Sequence, residues 1–332
     1  MHTKFFKEVK VYSVEIDLNR KAECRWEVIE QYKEEAKLLV DYYISEIRDY
    51  SSLYKLPLHA YSNIYIKDEF RRELRGMSKV LNIPYSDLLL VNLFYDLLKL
   101  ILSPSQLLFG CSGFVVDRTG GPVHARNMDW DSDGYSMKAF SLHQKFVKDG
   151  ECVFEAIGWP GYNACISGMA SGRFSLTLNA VSSKKSVALK TPVTYLLRDV
   201  LQNTESWEAA KCQLEAVPVF SDCLLLLSGT KQGEVVVIER TPKEYQTRFS
   251  GEDYIVVTND YRTKLADHQE GMDGILAETT CYRYKRIEQL LMDQLPETDD
   301  DYFRILNDPS VKMSITVQQM LMQASSGRLV SF

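Results

Sequence analysis

Gly110-Cys111-Ser112-Gly113-Phe114-Val115-Val116, followed after Gly120-Gly121 by Val123-His124-Ala125-Arg126-Asn127-Met128-Asp129-Trp130, is the stretch on which the reading of this chain turns. Apolar and β-branched residues on either side of a glycine turn predict two short strands, 111–117 and 122–128. A cysteine opens the first, and Arg126 and Asp129 close the second. If the peptide bond before Cys111 is cut, one residue carries both a thiol and a free α-amine. An unperturbed thiol titrates at about 8.5 and an α-amine at about 7.7 to 8.0, so the amine is a usable proton acceptor near neutral pH. Nucleophile and base are then paired without a histidine. The same thiol can make that end by attacking the Gly110 carbonyl to form a thioester that water opens, and a glycine leaves the carbonyl unhindered.

Read from residue type alone, Cys111 is more often a buried cysteine inside a strand. Its neighbours favour the chemical reading. Arg126 supplies positive charge for a thiolate, and Asp129 can orient the amine or the thiol; taken alone, the two would be a surface ion pair. They are three residues apart, so they do not share one face of a regular strand, and a strand end or bulge is implied. The five histidines, at 2, 59, 124, 143 and 268, form no recognisable partner motif for a papain-like protease.

The chain has 332 residues, 45% hydrophobic and 25% charged, with a net charge of −6. That composition suits an ordinary globular core and lacks the basic stripe that nucleic acid requires. Seven cysteines at scattered positions form neither a metal-ligand spacing nor a dense disulfide framework, and no Asn-x-Ser/Thr sequon occurs. No cofactor and no metal are expected. Met1 to Glu8 lack the apolar core of a secretory leader, so a cytoplasmic location is expected. The longest apolar stretch, Leu88 to Phe109, is interrupted by Asp96, Lys99 and Pro104 and reads as a buried helix, not a membrane span. Its Leu98-Lys99-Leu100-Ile101-Leu102 end alternatively offers an amphipathic edge for peripheral contact with a membrane or micelle.

Alternation over 9–17 predicts a strand, and apolar spacing from Trp26 to Tyr50 predicts a long amphipathic helix. A helix over 68–80 follows, then one over 88–102 capped by Ser86-Asp87. From Cys111 onward the pattern becomes short strands at 111–117, 122–128, 139–147, 152–158, 163–169, 173–179, 222–228 and 234–239. Helices are predicted over 191–214 and 278–294, and a last strand pair at Tyr254–Thr258 and Arg328–Phe332. Strands interrupted by helical stretches predict an α+β sandwich in which helices cover two stacked sheets. A mostly helical segment, 1–110, precedes a strand-rich core, 111–332.

The run around Cys111 resembles the nucleophile region of the acid ceramidase and N-acylethanolamine acid amidase family, within the choloylglycine hydrolase superfamily of N-terminal-nucleophile hydrolases. Further likenesses follow in the family's order: Ile16-Asp17-Leu18 with Arg25-Trp26, Leu81-Asn82-Ile83-Pro84, Asn92-Leu93-Phe94-Tyr95-Asp96, Trp159-Pro160-Gly161-Tyr162-Asn163, Phe174 to Asn179, and Thr258-Asn259-Asp260. The resemblance implies a four-layer αββα sandwich and a cysteine amidohydrolase that cuts the amide of an N-acylated lipid through a thioester. It implies cleavage between Gly110 and Cys111, with both fragments staying associated. Cys111 would be the nucleophile, Arg126 and Asp129 its polarising neighbours, Asn259 an oxyanion donor and Arg283 the second arginine. Asn179, Trp130 and Trp159 would contact substrate. By residue type alone, Asn259 is a turn residue, Arg283 a solvated helix charge and Asn179 a strand end. The chain departs from these relatives at Ala180-Val181, where they carry an acidic residue linked to self-processing. Two alternatives share or border the fold: a bile-salt hydrolase, penicillin acylase or acyltransferase, and a catalytically impaired lipid-binding protein.

Overall fold

The computed structural model describes residues 12–46, 48–101, 109–130, 136–181, 183, 187–251, 253–269 and 275–332. The first strand, β1 (Tyr12–Asp17), leads through two 3-10 turns (Ala22–Cys24 and Glu27–Tyr32) into helices α1 (Lys33–Glu46), α2 (Arg48–Tyr65), α3 (Asp68–Leu81), α4 (Tyr85–Asn92) and α5 (Phe94–Ile101). The hairpin follows as β2 (Phe109–Val116) and β3 (Val123–Trp130), then the single turn α6 (Ser136–Ala139). Next come β4 (Leu142–Lys148), β5 (Glu151–Gly158), β6 (Ser167–Ala170), β7 (Phe174–Ala180), α7 (Val193–Asn203) and α8 (Trp207–Ala216). The chain finishes with β8 (Cys223–Ser228), β9 (Val235–Arg240), β10 (Tyr245–Phe249), β11 (Tyr254–Val257), α9 (Ile275–Asp293), α10 (Asp299–Leu306), β12 (Thr316–Gln323) and β13 (Arg328–Ser331).

Two sheets result, one of eight strands in the order β1-β4-β5-β6-β7-β8-β9-β10 and one of five in the order β11-β2-β3-β12-β13. Strand alternation decides what each face meets. On β2, Phe114 and Val116 pack with Ile287, Leu291, Tyr302 and Phe303 of α9 and α10. Val115, one residue out of phase, packs with Leu224, Leu226 and Val257 between the sheets. Leu176, Leu178 and Leu225 turn away from the small sheet into the cluster shared with α1, α3, α4, α5 and α7. Helices thus flank two stacked sheets, the expected αββα arrangement. Gly113 permits close stacking, since a Cβ there would lie 3.3 Å from Leu226 Cδ2 and 3.3 Å from Val257 Cγ1.

Most predicted elements are present, with local differences. The 26–50 stretch starts as 3-10 turns and becomes α-helical only at Lys33. Pro84, not Ser86-Asp87, is the N-cap of α4, and the predicted 88–102 helix is two helices divided at Leu93. Residues 9–11, 102 and the opening Met1 to Glu8 lie outside the described residues. The 191–214 helix is likewise two, because Thr204 is extended and the Ser206 side chain accepts from Ala209 N to start α8. Tyr254–Val257 and Arg328–Ser331 are not a pair. They occupy opposite edges of the small sheet, β11 on β2 and β13 on β12. Three strands, β2, β3 and β12, lie between them, and of these β12 (Thr-Val-Gln-Gln-Met-Leu-Met-Gln) is buried on both faces and shows no alternation to predict it. No helix among the described residues is long and apolar enough to cross a membrane.

Candidate active site around Cys111

In the hairpin register Cys111 lies opposite Met128, Gly113 opposite Arg126 and Gly110 opposite Asp129. Directly opposed residues in an antiparallel pair share a face. Cys111 and Arg126 therefore point between the sheets, while Gly110, Ser112 and Asp129 point toward α9. The three-residue spacing of Arg126 and Asp129 is what sends them to opposite sides.

On the inner side, Arg126 Nη2 donates to Cys111 Sγ at 2.8 Å and to the Leu178 carbonyl at 3.1 Å. Its Nη1 donates to Ser167 Oγ at 2.7 Å and to the Ile166 carbonyl at 3.3 Å. The thiol itself reaches the Leu178 carbonyl at 3.7 Å. Burial pushes the Cys111 thiol up from its ordinary value, and the Arg126 guanidinium acts against that shift. His124, on the same face of β3, is tied to Ser175 at 2.9 Å and Thr177 at 3.0 Å, and burial lowers it to about 3. It is a neutral structural imidazole, not a partner for the cysteine.

The backbone of Cys111 is held as firmly as its side chain. Its N–H donates to Asn259 Oδ1 at 3.0 Å, and its carbonyl accepts from Arg283 Nη1 at 2.7 Å. Arg283 also donates to Ser112 Oγ at 2.9 Å and to Asn259 Oδ1 at 2.7 Å, bridging the two residues from the third turn of α9. Asn259 Nδ2 donates to the Ala180 carbonyl at 2.8 Å, and Thr280 Oγ1 accepts from its backbone N–H at 2.9 Å. The amide of Asn259 thus presents its oxygen to Cys111 and commits its nitrogen to β7. In this uncut arrangement it is an acceptor for the nitrogen that cleavage would free, whereas the expected role was oxyanion donor.

Asp129 accepts from Thr316 Oγ1 at 2.5 Å, and its Oδ2 has no partner among the described residues. Burial raises its carboxyl, with Arg283 pulling the other way. A Cβ on Gly110 would stand 3.5 Å from Asp129 Oδ2, 3.4 Å from Asn259 Oδ1 and 3.3 Å from Met313 Sδ. Glycine keeps the bond before Cys111 accessible between these groups. Asn179, at the end of β7, donates to the Thr258 carbonyl at 2.9 Å, and its Oδ1 is buried without a partner among the described residues. It sits beside the site, tying β7 to the residue before Asn259.

Trp130 and Trp159, together with Tyr43, Phe94, Tyr95 and Met137, wall a narrow apolar cavity of about 40 Å³ whose lining does not include Cys111. Ile166 links the two regions, since its side chain lines the cavity and its carbonyl accepts from Arg126. Thr316, Ser167 and Thr280 were not foreseen. Each lies far along the chain from its partner, and a lone Ser or Thr carries no sequence signal for such a contact.

A family model described as acyl-coenzyme A:6-aminopenicillanic acid acyl-transferase matches residues 116–328. N-acylethanolamine-hydrolyzing acid amidase of Caenorhabditis elegans is 27% identical over 188 residues, covering 53% of this chain and 52% of that protein. Acid ceramidase of Homo sapiens is 28% identical over 227 residues, covering 59% and 54%. The chain thus spans about half the length of the curated relatives it matches. A solved structure of the C. elegans N-acylethanolamine-hydrolyzing acid amidase ortholog superposes with a TM-score of 0.56 at 22% identity, over 67% of this chain and 99% of that one. The likeness establishes the N-terminal-nucleophile hydrolase fold.

Proposed function

The chain belongs to the acyl-coenzyme A:6-aminopenicillanic acid acyl-transferase family, and from that premise we propose that it is a cysteine amidohydrolase acting on N-acylated lipids of ceramide or N-acylethanolamine type. One observation carries the reading: Arg126 grips the sulfur of Cys111 while Asn259 and Arg283 separately fix its backbone nitrogen and carbonyl. A structural cysteine needs no such double hold. Activation begins with attack of the thiol on the Gly110 carbonyl. The acyl group moves from nitrogen to sulfur, and water opens the thioester to leave a Gly110 carboxylate and a Cys111 α-amine.

In turnover, that amine takes the thiol proton as sulfur adds to the substrate carbonyl. Collapse of the tetrahedral adduct expels the head-group amine, which takes the proton back. Water then attacks the acyl-thioester, releasing the fatty acid and restoring the thiol. The cavity walled by Trp130 and Trp159 supports the reading through its lining, which is as apolar as an acyl chain requires. The alternatives keep the nucleophile and change the acceptor or the amide, as in bile-salt hydrolysis, penicillin hydrolysis or acyl transfer.

The decisive variant is Cys111→Ala. Wild type is expected as two fragments on a denaturing gel with a new terminus at Cys111, and the variant as one uncut chain without amidase activity. Full turnover by the variant overturns the reading. N-acyl amides differing in head group, tested beside conjugated bile acids and penicillins, separate the substrate classes.

A further inference from the structure

Behind the Asn259 carboxamide lies a buried cluster that the mechanism does not use. Lys99 of α5 donates to Asp222 Oδ1 at 2.7 Å and also to the Val181 carbonyl. Its side chain is 1% exposed and that of Asp222 is fully buried. The same helix grips residues 221–222 twice more: Asp96 Oδ1 accepts from Ser221 Oγ at 2.5 Å, and Tyr95 Oη donates to the Asp222 carbonyl at 3.1 Å. A lysine ammonium is seldom taken fully out of water without a partner, and here it has a carboxylate and a carbonyl.

The placement of that carbonyl is the informative part. β7 ends at Ala180, whose ladder partner on β8 is Cys223, the residue after Asp222. Beyond Ala180 the ladder stops, and the Val181 carbonyl is met by Lys99 instead of a strand. The Val181 and Ala180 carbonyls stand on successive peptide planes that hinge only at the Val181 Cα, through its φ and ψ. The Ala180 carbonyl is the acceptor that holds Asn259 Nδ2 at 2.8 Å, and Asn259 Oδ1 in turn holds Cys111 N at 3.0 Å.

We propose that Lys99 is a positioning residue for the Cys111 centre: anchored on Asp222, it fixes the exit of β7 at Val181, and so sets the Ala180 carbonyl that orients Asn259 against Cys111. Lys99 lies before Gly110, so after cleavage the positioning group comes from the amino-terminal fragment and acts across the break. The inference rests on the amidohydrolase reading of Cys111. It adds a requirement which that reading lacks, namely that the released fragment be a working part of the site.

The test compares full-length wild type, Lys99→Met, and Lys99→Met/Asp222→Asn for melting temperature, kcat, KM and the rate of Cys111 alkylation by iodoacetamide. Lys99→Met strands a buried carboxylate and is expected to lose both melting temperature and activity. The double variant removes both charges and is expected to regain most of the melting temperature. Its kcat stays at least about tenfold down with KM within about twofold, because small displacements of a catalytic group cost rate, not affinity. Recovery of kcat together with melting temperature overturns the proposal. If the single variant fails to fold, the double variant carries the comparison alone. If wild type cleaves no amide, the amidohydrolase reading falls and the alkylation rate decides: a change of about threefold or more in the double variant supports positioning, and an unchanged rate overturns it.

Discussion

Two opposing influences meet at Cys111. Burial between the sheets raises the thiol, and a guanidinium 2.8 Å from the sulfur lowers it. Burial is the larger, so the uncut chain holds a protonated thiol and the cation keeps thiolate within reach. Arg126→Met removes the opposing charge. It is expected to move the midpoint of Cys111 alkylation to higher pH and to lower amide turnover about 10²-fold, a size typical for losing one preorganised electrostatic group. Alkylation by iodoacetamide followed across pH checks this, and an unmoved midpoint would show that Arg126 does not govern the thiol. Much of this residue-level arrangement was legible in the sequence. Cys111, Arg126 and Asp129 sit within one hairpin, and their spacing already separated Arg126 from Asp129. The orientation of the Asn259 amide was not legible, because Ala180, Arg283 and Cys111 decide it from three distant parts of the chain.

Helix α5 shows where element-level reading stops. Asp96 and Lys99 interrupt an apolar stretch, and in the sequence they stand as marks against a membrane span, with Asp96 also ending a family-like run and Lys99 also lying in an amphipathic edge. Their partners, Ser221 and Asp222, are more than 120 residues away. Local periodicity finds the helix; only the packed molecule shows that its polar residues point inward. Burial raises the Asp96 carboxyl from the ordinary 3.8 to about 7, with the Ser221 hydroxyl, Val193 and Lys99 lowering it and Asp222 raising it. The folded form therefore keeps this proton at pH values where the unfolded chain has released it. The resulting stabilisation is complete below about pH 4, declines as pH rises and is gone above about pH 7. Asp96→Asn, which cannot ionise, is expected to gain on wild type between pH 5 and 8, by up to about 4 kcal/mol at the alkaline end. Parallel urea titrations of both proteins across that range check it, and a constant difference would refute it. β12 escaped for a related reason: a strand covered on both faces has no alternation to read.

At the scale of the whole molecule, the helical segment and the strand-rich core share one interior. Trp26, Phe70, Leu74, Leu88 and Phe94 pack in the same cluster as Phe146, Phe154, Leu176, Leu197 and Leu225. A cut between Gly110 and Cys111 leaves that cluster intact, and apolar burial on this scale outweighs the freedom gained by one broken bond. Cleaved protein is expected to elute from a sizing column as a single species of uncut size and to separate only in denaturant. Elution of two smaller species in native buffer would contradict this. The two-layer pattern and the helical lead were legible from the change of texture at Cys111. The parallel pairing of β1 with β4 was not, since contact between residues 12 and 142 leaves no local trace.

That pairing has a consequence for self-association. β1 covers the row of main-chain donors and acceptors along Leu142–Lys148, at a margin of the large sheet where an uncovered strand invites a ladder from another molecule. β1 thereby becomes the outermost strand itself, so the margin left open to such a ladder belongs to the segment ahead of Cys111 and is only as long as Tyr12–Asp17.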